Sequence, residues 1–488
     1  MNTSDPLGIL ETFKPLFEPR TIAVAGASQS STTLGNRFIN SLKNGGFDGE
    51  IYPIHPRAHK IEGLPAYISI SALPEPVDYA YVAIKASQVI PFLRDAKGRI
   101  KFAQVLSSGF AETQGGKALE EELIEVAQTC DIRIIGPNCI GLHAPRGKLA
   151  LINDCLQTGR GIGFLSQSGG LSLDVLRRGQ VLGLPFSAVV SLGNCADVEP
   201  TELLEYLLAD PETKVIGLYL EMVRNGRHFF ELLSHNKAIK PVIILRGGKT
   251  AQGQRAAASH TGSLADDNLL WSAVIRQTGA IEVESLDSMM AHLMAIQTAD
   301  IASNGASHAI IFGNGGGTSV IATDQFSSHG IEVPTLAKDL YRVLEKLELP
   351  NGASISNPID VPANILVRDN GHQAQRIINS VRNQNRSAAL VVHLNLAVFS
   401  GYQQPSMIVE MVDTALQSET KRDNPAPFHL VLRSDGDEET ETLKRLLRSK
   451  AIAVGIPVFD ELKESAHVLS SLNRLALYRH RHARQAQN

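Results

Sequence analysis

The sequence predicts an α/β protein made of parallel sheets covered by helices, and three observations carry that prediction. Short, continuous apolar runs recur along the chain, as strands buried on both faces require. Longer stretches of helical period lie between the runs. Glycine-rich turns follow many of them, at the points where a strand hands over to a helix. With 488 residues the chain is too long for one ordinary core, which predicts two or three domains.

The first run, Thr21-Ile22-Ala23-Val24-Ala25, ends in Gly26-Ala27-Ser28 and enters an amphipathic stretch over 35–44. Further strands are expected at 79–84, 104–106, 132–135, 162–165, 188–190, 215–220 and 241–245, with helices such as 116–128 and 200–208 between them. The pattern then restarts twice. The first unit closes near Gly136-Pro137-Asn138-Cys139-Ile140-Gly141, and the second opens at Gly161-Ile162-Gly163-Phe164-Leu165 and ends with a helix over 285–299. The third opens at Ala309-Ile310-Ile311-Phe312, followed by Gly313-Asn314-Gly315-Gly316-Gly317, and closes with Gly455-Ile456-Pro457-Val458-Phe459 and a last helix over 461–475. The expected domains are 1–148, 156–300 and 305–475.

Hydrophobic residues at 43% and charged residues at 20% are those of a soluble globular protein. A net charge of −4 gives no field that would draw the chain to nucleic acid or to a membrane surface. The basic segment Tyr478-Arg479-His480-Arg481-His482-Ala483-Arg484 reads as a frayed, solvated terminus. The four cysteines show no CxxC spacing and there is no HExxH, so neither a disulfide framework nor a protein-built metal site is expected. No apolar run reaches the roughly 18 residues that span a bilayer, and the N-terminus lacks the order of a signal peptide. A cytoplasmic protein is expected.

Four places could carry chemistry. In the first, Gly26-Ala27-Ser28 offers a close backbone approach and a helix N-terminus, which suits a nucleotide-type ligand; Ser107-Ser108-Gly109 could line the same crevice. The GxGxxG spacing of nicotinamide-binding turns is missing, and a plain structural turn stays open. In the second, Ser166, Ser168, Gly169 and Gly170 sit where a strand enters a helix and form an anion cradle, unless Ser168 serves only as an N-cap. His260 is the third, in a run of small residues that would let a phosphate or acyl phosphate approach a neutral imidazole, although a lone histidine among 15 is more often a plain polar surface or core residue. The fourth is Glu221, at the end of a strand, where a carboxylate could hold an imidazole in one tautomer; an N-cap or a surface ion pair is the plainer alternative.

These segments, in this order, resemble the nucleoside-diphosphate-forming acyl-CoA synthetases, and in particular the α part of ADP-forming acetate–CoA ligases, with succinyl-CoA synthetase α subunits as more distant relatives. The resemblance rests on IAVAGAS within 21–28, SSGFAE at 107–112, IGPNCIGL at 135–142, FLSQSGGL at 164–171 and SLGNCADV at 191–198. It continues through LYLE at 218–221, PVIILRGGK at 241–249, AAASHTGSL at 256–264, GNGGG at 313–317, NPID at 357–360 and GIPVF at 455–459.

The resemblance implies an N-terminal Rossmann-like CoA-binding domain followed by two flavodoxin-like domains of the succinyl-CoA ligase type. It implies that His260 takes the phosphoryl group, that Glu221 supports it, and that Ser166, Ser168, Gly169 and Gly170 face the phosphate. Gly26, Ala27, Ser28, Ser107, Ser108 and Gly109 would contact coenzyme A. The chain departs from the family after SHTG, reading Leu264-Ala265-Asp266-Asp267-Asn268 where Ala-Gly-Ser-Asp is more usual, and the extra negative charge near the histidine could alter phosphate access. Nothing in it looks like an ATP-grasp domain. A separate ATP-grasp β chain is therefore expected to hold ADP or ATP with Mg, within an oligomer. The acyl group, a small carboxylic acid in free form, is not readable. The rival readings are a non-catalytic CoA-binding regulator of the same fold, the sensing part of a protein acetyltransferase and, more remotely, a nicotinamide dehydrogenase.

Overall fold

The computed structural model describes residues 6–29, 32–151, 159–261, 268–298, 305–347, 349–400, 404–420 and 426–485. Its strands fall into three large sheets. The first is built from β1 (Thr21–Ala25), β2 (Glu50–Ile54), β5 (Val77–Val82), β6 (Ile100–Val105) and β7 (Arg133–Ile135), with the hairpin of β3 (Lys60–Ile61) and β4 (Leu64–Pro65) beside it. The second holds β8 (Leu142–His143), β9 (Gly161–Ser166), β10 (Phe186–Ser191), β11 (Thr213–Leu220), β12 (Val242–Arg246) and β13 (Ile281–Val283). The third holds β14 (Ala309–Gly313), β15 (Ile359–Asp360), β16 (Ala389–Asn395), β17 (Phe428–Arg433) and β18 (Val458–Phe459).

All the pairings in the first and third sheets are parallel, and in the second only β8 runs antiparallel, against β10. The spatial orders are β2-β1-β5-β6-β7, β10-β9-β11-β12-β13 and β15-β14-β16-β17-β18. Each sheet therefore repeats one doubly wound topology, in which the chain reverses direction across the sheet next to its first strand. Such a reversal opens a crevice at the carboxyl ends of the two strands beside it. The three crevices lie between β1 and β5, between β9 and β11, and between β14 and β16.

Local sequence explains the elements that line these crevices. The helix Leu34–Asn44 starts at Thr33, whose side chain accepts from the Asn36 N–H, and it buries Phe38, Ile39 and Leu42 along one face. Phe38 stacks on Tyr81 of β5 with ring centroids 4.1 Å apart. The N-terminal helix Pro6–Phe17 joins the first two sheets: Phe13 meets Phe102 at 5.6 Å, and Phe17 stacks on Tyr206 of the helix Pro200–Ala209 at 4.1 Å. One hydrophobic core thus runs across both sheets. Fully burying an aromatic ring of this kind contributes roughly 1.5–3 kcal/mol.

The chain divides into two compact units, Met1–Met289 and Met290–Asn488. The second has its own core around Phe312, Leu394, Phe399 and Leu432. Within that unit Arg382 and Glu419 are both buried and form a bidentate pair, at 2.6 and 3.1 Å. The segment read as a frayed basic terminus proves to be the end of a helix, Leu462–Gln485, with His482 against Tyr478 at a ring separation of 4.2 Å. No glycine or proline interrupts it, and cationic side chains in a last turn favour the helix through its dipole.

Candidate active site

The crevice between β9 and β11 brings Glu221 beside the Ser166-Gln167-Ser168-Gly169-Gly170 turn. Gln167, which is buried, makes the junction. Its side-chain carbonyl accepts from the N–H groups of Glu221 (2.5 Å) and Met222 (3.0 Å), and its amide donates to the Met222 carbonyl (3.1 Å). One amide side chain thus stands in for a backbone partner and fixes the end of β11 relative to the end of β9.

The hydroxyls of the turn divide their work. Ser166 Oγ donates to the Ser168 carbonyl at 2.7 Å and accepts from the Ser168 N–H at 3.0 Å, so its proton is used inside the turn. Ser168 is the N-cap of the helix Gly169–Val181 and accepts from the Leu171 N–H at 3.4 Å, a role that leaves its own proton to donate. The first-turn N–H groups of Gly169 and Gly170 have no intrahelical acceptor, and space beside Gly170 is open. An anion here would meet two backbone donors and the positive end of a helix.

Glu221 has one oxygen occupied and one without a partner. Oε1 accepts from the Tyr219 hydroxyl at 3.1 Å, while Oε2 is buried with no hydrogen-bond partner among the described residues. Burial, with Glu221 alongside, pushes the Tyr219 hydroxyl above its ordinary pKa, so it stays protonated as a donor. A buried acceptor left open costs about 1–3 kcal/mol, which a cationic or N–H-bearing partner would offset. The turn after β12 covers this carboxylate. Gly247 donates to the Leu220 carbonyl at 2.9 Å, and a Cβ at Gly247 would lie 3.3 Å from Glu221 Cγ. The helix Ala251–Thr261 begins just beyond this turn and carries His260 at its far end. The His260 side chain lies outside the described residues, as do residues 262–267 with the two acidic positions after SHTG.

The turns Gly26-Ala27-Ser28 and Ser107-Ser108-Gly109 flank β5 at the carboxyl edge of the first sheet. Gly26 has φ +104°, and a Cβ there would fall 2.1 Å from the Ala83 carbonyl oxygen, so only glycine lets the turn after β1 lie against the end of β5. Ser107 Oγ donates to the Ile84 carbonyl, which ties the turn after β6 to the other side of β5. Ser28 is held in both directions by Asn36, whose carbonyl accepts from Ser28 N (2.9 Å) and whose amide donates to Ser28 O (2.8 Å). Ser108 and Lys85 are exposed at this edge.

The family described as a CoA binding domain matches residues 20–145, and the succinyl-CoA ligase like flavodoxin domain matches residues 159–296. Subunit alpha of acetate–CoA ligase [ADP-forming] II from Pyrococcus furiosus is 34% identical over 71% of this chain and 75% of its own length. The chain belongs to the ADP-forming acetate–CoA ligase family. Acetate–CoA ligase [ADP-forming] I from Archaeoglobus fulgidus is 36% identical over 71% of this chain, and the match spans half of that longer protein. A solved dinucleotide forming acetyl-coenzyme A synthetase 1 from Ca. Korarchaeum cryptofilum, in complex with phosphate and ADP, superposes with a TM-score of 0.82 at 28% identity, covering 97% of this chain and 98% of that one.

Family membership does not by itself assign the polar residues that organise the site. Gln167, Glu112 and Asn194 lie inside segments that the sequence singles out, yet no role is readable for them, because each has a partner more than 50 positions away along the chain. Asn36 gave no sequence signal at all. In the second compact unit Asn314 repeats the part of Gln167: its carbonyl accepts from Asn395 N at 2.9 Å, joining the ends of β14 and β16. Among the described residues no cluster of His, Cys, Asp or Glu could hold a metal ion, and no helix is long and apolar enough to cross a membrane.

Proposed function

We propose that this chain is the acyl-CoA-handling α subunit of an ADP-forming acyl-CoA synthetase, which interconverts acyl-CoA, ADP and phosphate with a carboxylic acid, CoA and ATP. The observation that carries the reading is the carboxylate of Glu221, with one buried oxygen that has no partner among the described residues, at the same crevice as the first-turn N–H groups of Gly169 and Gly170, which have no intrahelical acceptor.

In this reading a phosphate oxygen attacks the thioester carbonyl of bound acyl-CoA. The C–S bond breaks, and acyl phosphate and the CoA thiol result. An imidazole nitrogen of His260 then attacks phosphorus, the P–O bond to the acyl group breaks, and the carboxylate leaves. Glu221 orients the imidazole and balances its positive charge, while Ser168, Gly169 and Gly170 hold the phosphoryl oxygens. Gly26, Ala27, Ser28, Ser107, Ser108 and Gly109 hold coenzyme A in the first crevice.

The phosphohistidine finally passes its phosphoryl group to ADP on an ATP-grasp β subunit that carries Mg; the relative named as a subunit alpha supports a second chain. Free, buried Cys130, Cys139 and Cys195 suit the reducing cytoplasm, where the proposed assembly would work.

The test is to incubate the chain with acyl-CoA and radiolabelled phosphate. Acid-labile, alkali-stable label is expected on the wild type and none on His260→Ala. Equal labelling of both proteins would overturn the mechanism, and CoA binding without label on either would favour a regulator of the same fold.

A further inference from the structure

Between the CoA-facing turn of the first sheet and Glu221 of the second runs a continuous polar connection inside one compact unit. At its start Glu112 holds the Ser107-Ser108-Gly109 turn: its Oε1 accepts from the N–H groups of Gly109 at 2.5 Å and Phe110 at 3.2 Å. Its Oε2 accepts from Asn194 Nδ2 at 2.6 Å, and the same nitrogen donates to Glu120 Oε2 at 2.7 Å. Glu120 in turn accepts from the Ala111 N–H at 3.3 Å. One side-chain amide therefore holds together two carboxylates that would otherwise repel each other, and through them it fixes residues 109–111.

Asn194 follows β10 of the second sheet and is itself anchored to the turn after β7 of the first. Its backbone N–H donates to the Pro137 carbonyl at 3.0 Å, and its Oδ1 accepts from Asn138 Nδ2 at 3.4 Å. The next residue, Cys195, accepts through Sγ from Gln167 Nε2 at 3.4 Å, and Gln167 Oε1 receives the Glu221 N–H at 2.5 Å. Burial pushes the Cys195 thiol up to about 12, so it remains a neutral acceptor. The links at Glu112 are charge-assisted, the stronger kind, and the step from Asn194 to Cys195 is the backbone itself.

We infer that Asn194 is a positioning residue that sets the Ser107-Ser108-Gly109 turn in register with Glu221, so that the thioester and the phosphoryl site are aligned by one amide. The inference rests on the proposed reading that these two places bind coenzyme A and serve phosphoryl transfer. It makes occupancy of the first crevice and the orientation of Glu221 mutually dependent, carried by Glu112 on one side and Gln167 on the other. Residues that do not share such a network act additively when substituted, whereas members of one network do not.

The experiment is a double-mutant cycle on the full chain, with CoA affinity read by titration calorimetry and phosphohistidine formation read at saturating acyl-CoA. Glu112→Ala, Gln167→Ala and the double variant are compared with the wild type. The combined loss in CoA affinity is expected to fall short of the product of the single losses by a factor of about 3 or more, and Asn194→Ala should weaken both readouts together. Asn194→Asp, which faces Glu112 and Glu120 with a third carboxylate, should bind CoA poorly at neutral pH and regain affinity relative to wild type as the pH falls. Multiplicative single losses, or a pH-independent ratio for Asn194→Asp, would overturn the inference while leaving CoA binding by the wild type intact. A wild type that binds no CoA would instead overturn the functional reading, and the inference with it.

Discussion

At the scale of single residues, the chemistry depends on how carboxylates are partnered. Glu221 has one buried oxygen without a partner among the described residues, whereas Glu112 has both of its oxygens engaged. Burial works to raise the Glu112 pKa, but the Asn194 amide and the Gly109 and Phe110 N–H groups outweigh it and hold the carboxyl below its ordinary 4.5. A carboxyl whose pKa is lower folded than unfolded adds stability above the unfolded value, and that contribution is lost as the pH falls through the folded value. The stability of Met1–Met289 should therefore decline on acidification below roughly pH 5, in part through Glu112. Glu112→Gln should start less stable at neutral pH and show a shallower decline. Urea melts between roughly pH 6 and pH 3 check this, and parallel slopes for the two proteins would refute it.

At the scale of elements, three sheets of the same winding each place a short polar or glycine-rich turn where the strand order reverses. The turns are tight because neighbouring strand ends touch them. The Gly26 turn rests against the Ala83 carbonyl, and a methyl group there would need both a positive φ and a 2.1 Å approach to backbone oxygen. Gly26→Ala is expected to cost about 2 kcal/mol or more and to abolish CoA binding at concentrations that saturate the wild type. Thermal melts and titration calorimetry measure the two effects. A variant with unchanged melting and unchanged affinity would show that the turn can open without consequence.

At the scale of the whole molecule, the two compact units have separate cores: Met1–Met289 holds one shared by the first two sheets and another around the first, and Met290–Asn488 holds one around the third. Two unfolding transitions are expected in calorimetry. The buried Arg382–Glu419 pair offers a way to assign them. Glu419→Ala strands a buried guanidinium, which costs about 3–5 kcal/mol. It should lower one transition, by on the order of 10 °C, and leave the other in place. The pair Arg382→Met with Glu419→Leu should recover most of the loss. A single transition that moves as a whole would mean that the two units unfold as one.

What the sequence determined by itself was the α/β class, most strands in their approximate places and the turns that end at Ser28, Gly109 and Gly170. These follow from apolar runs and glycine spacing, which are local properties of the chain. Sequence also pointed to Glu221, since a carboxylate ending a buried strand stands out against its apolar neighbours. The tertiary structure alone decided that Glu221 and the Ser168 helix end belong to one crevice, because that depends on β11 lying next to β9 and not next to β10. It also decided the parts of Gln167, Glu112 and Asn194, whose partners lie up to 82 positions away along the chain. A hydrogen bond of that kind leaves no periodicity in the sequence; it exists only once the strand order has brought the two ends together.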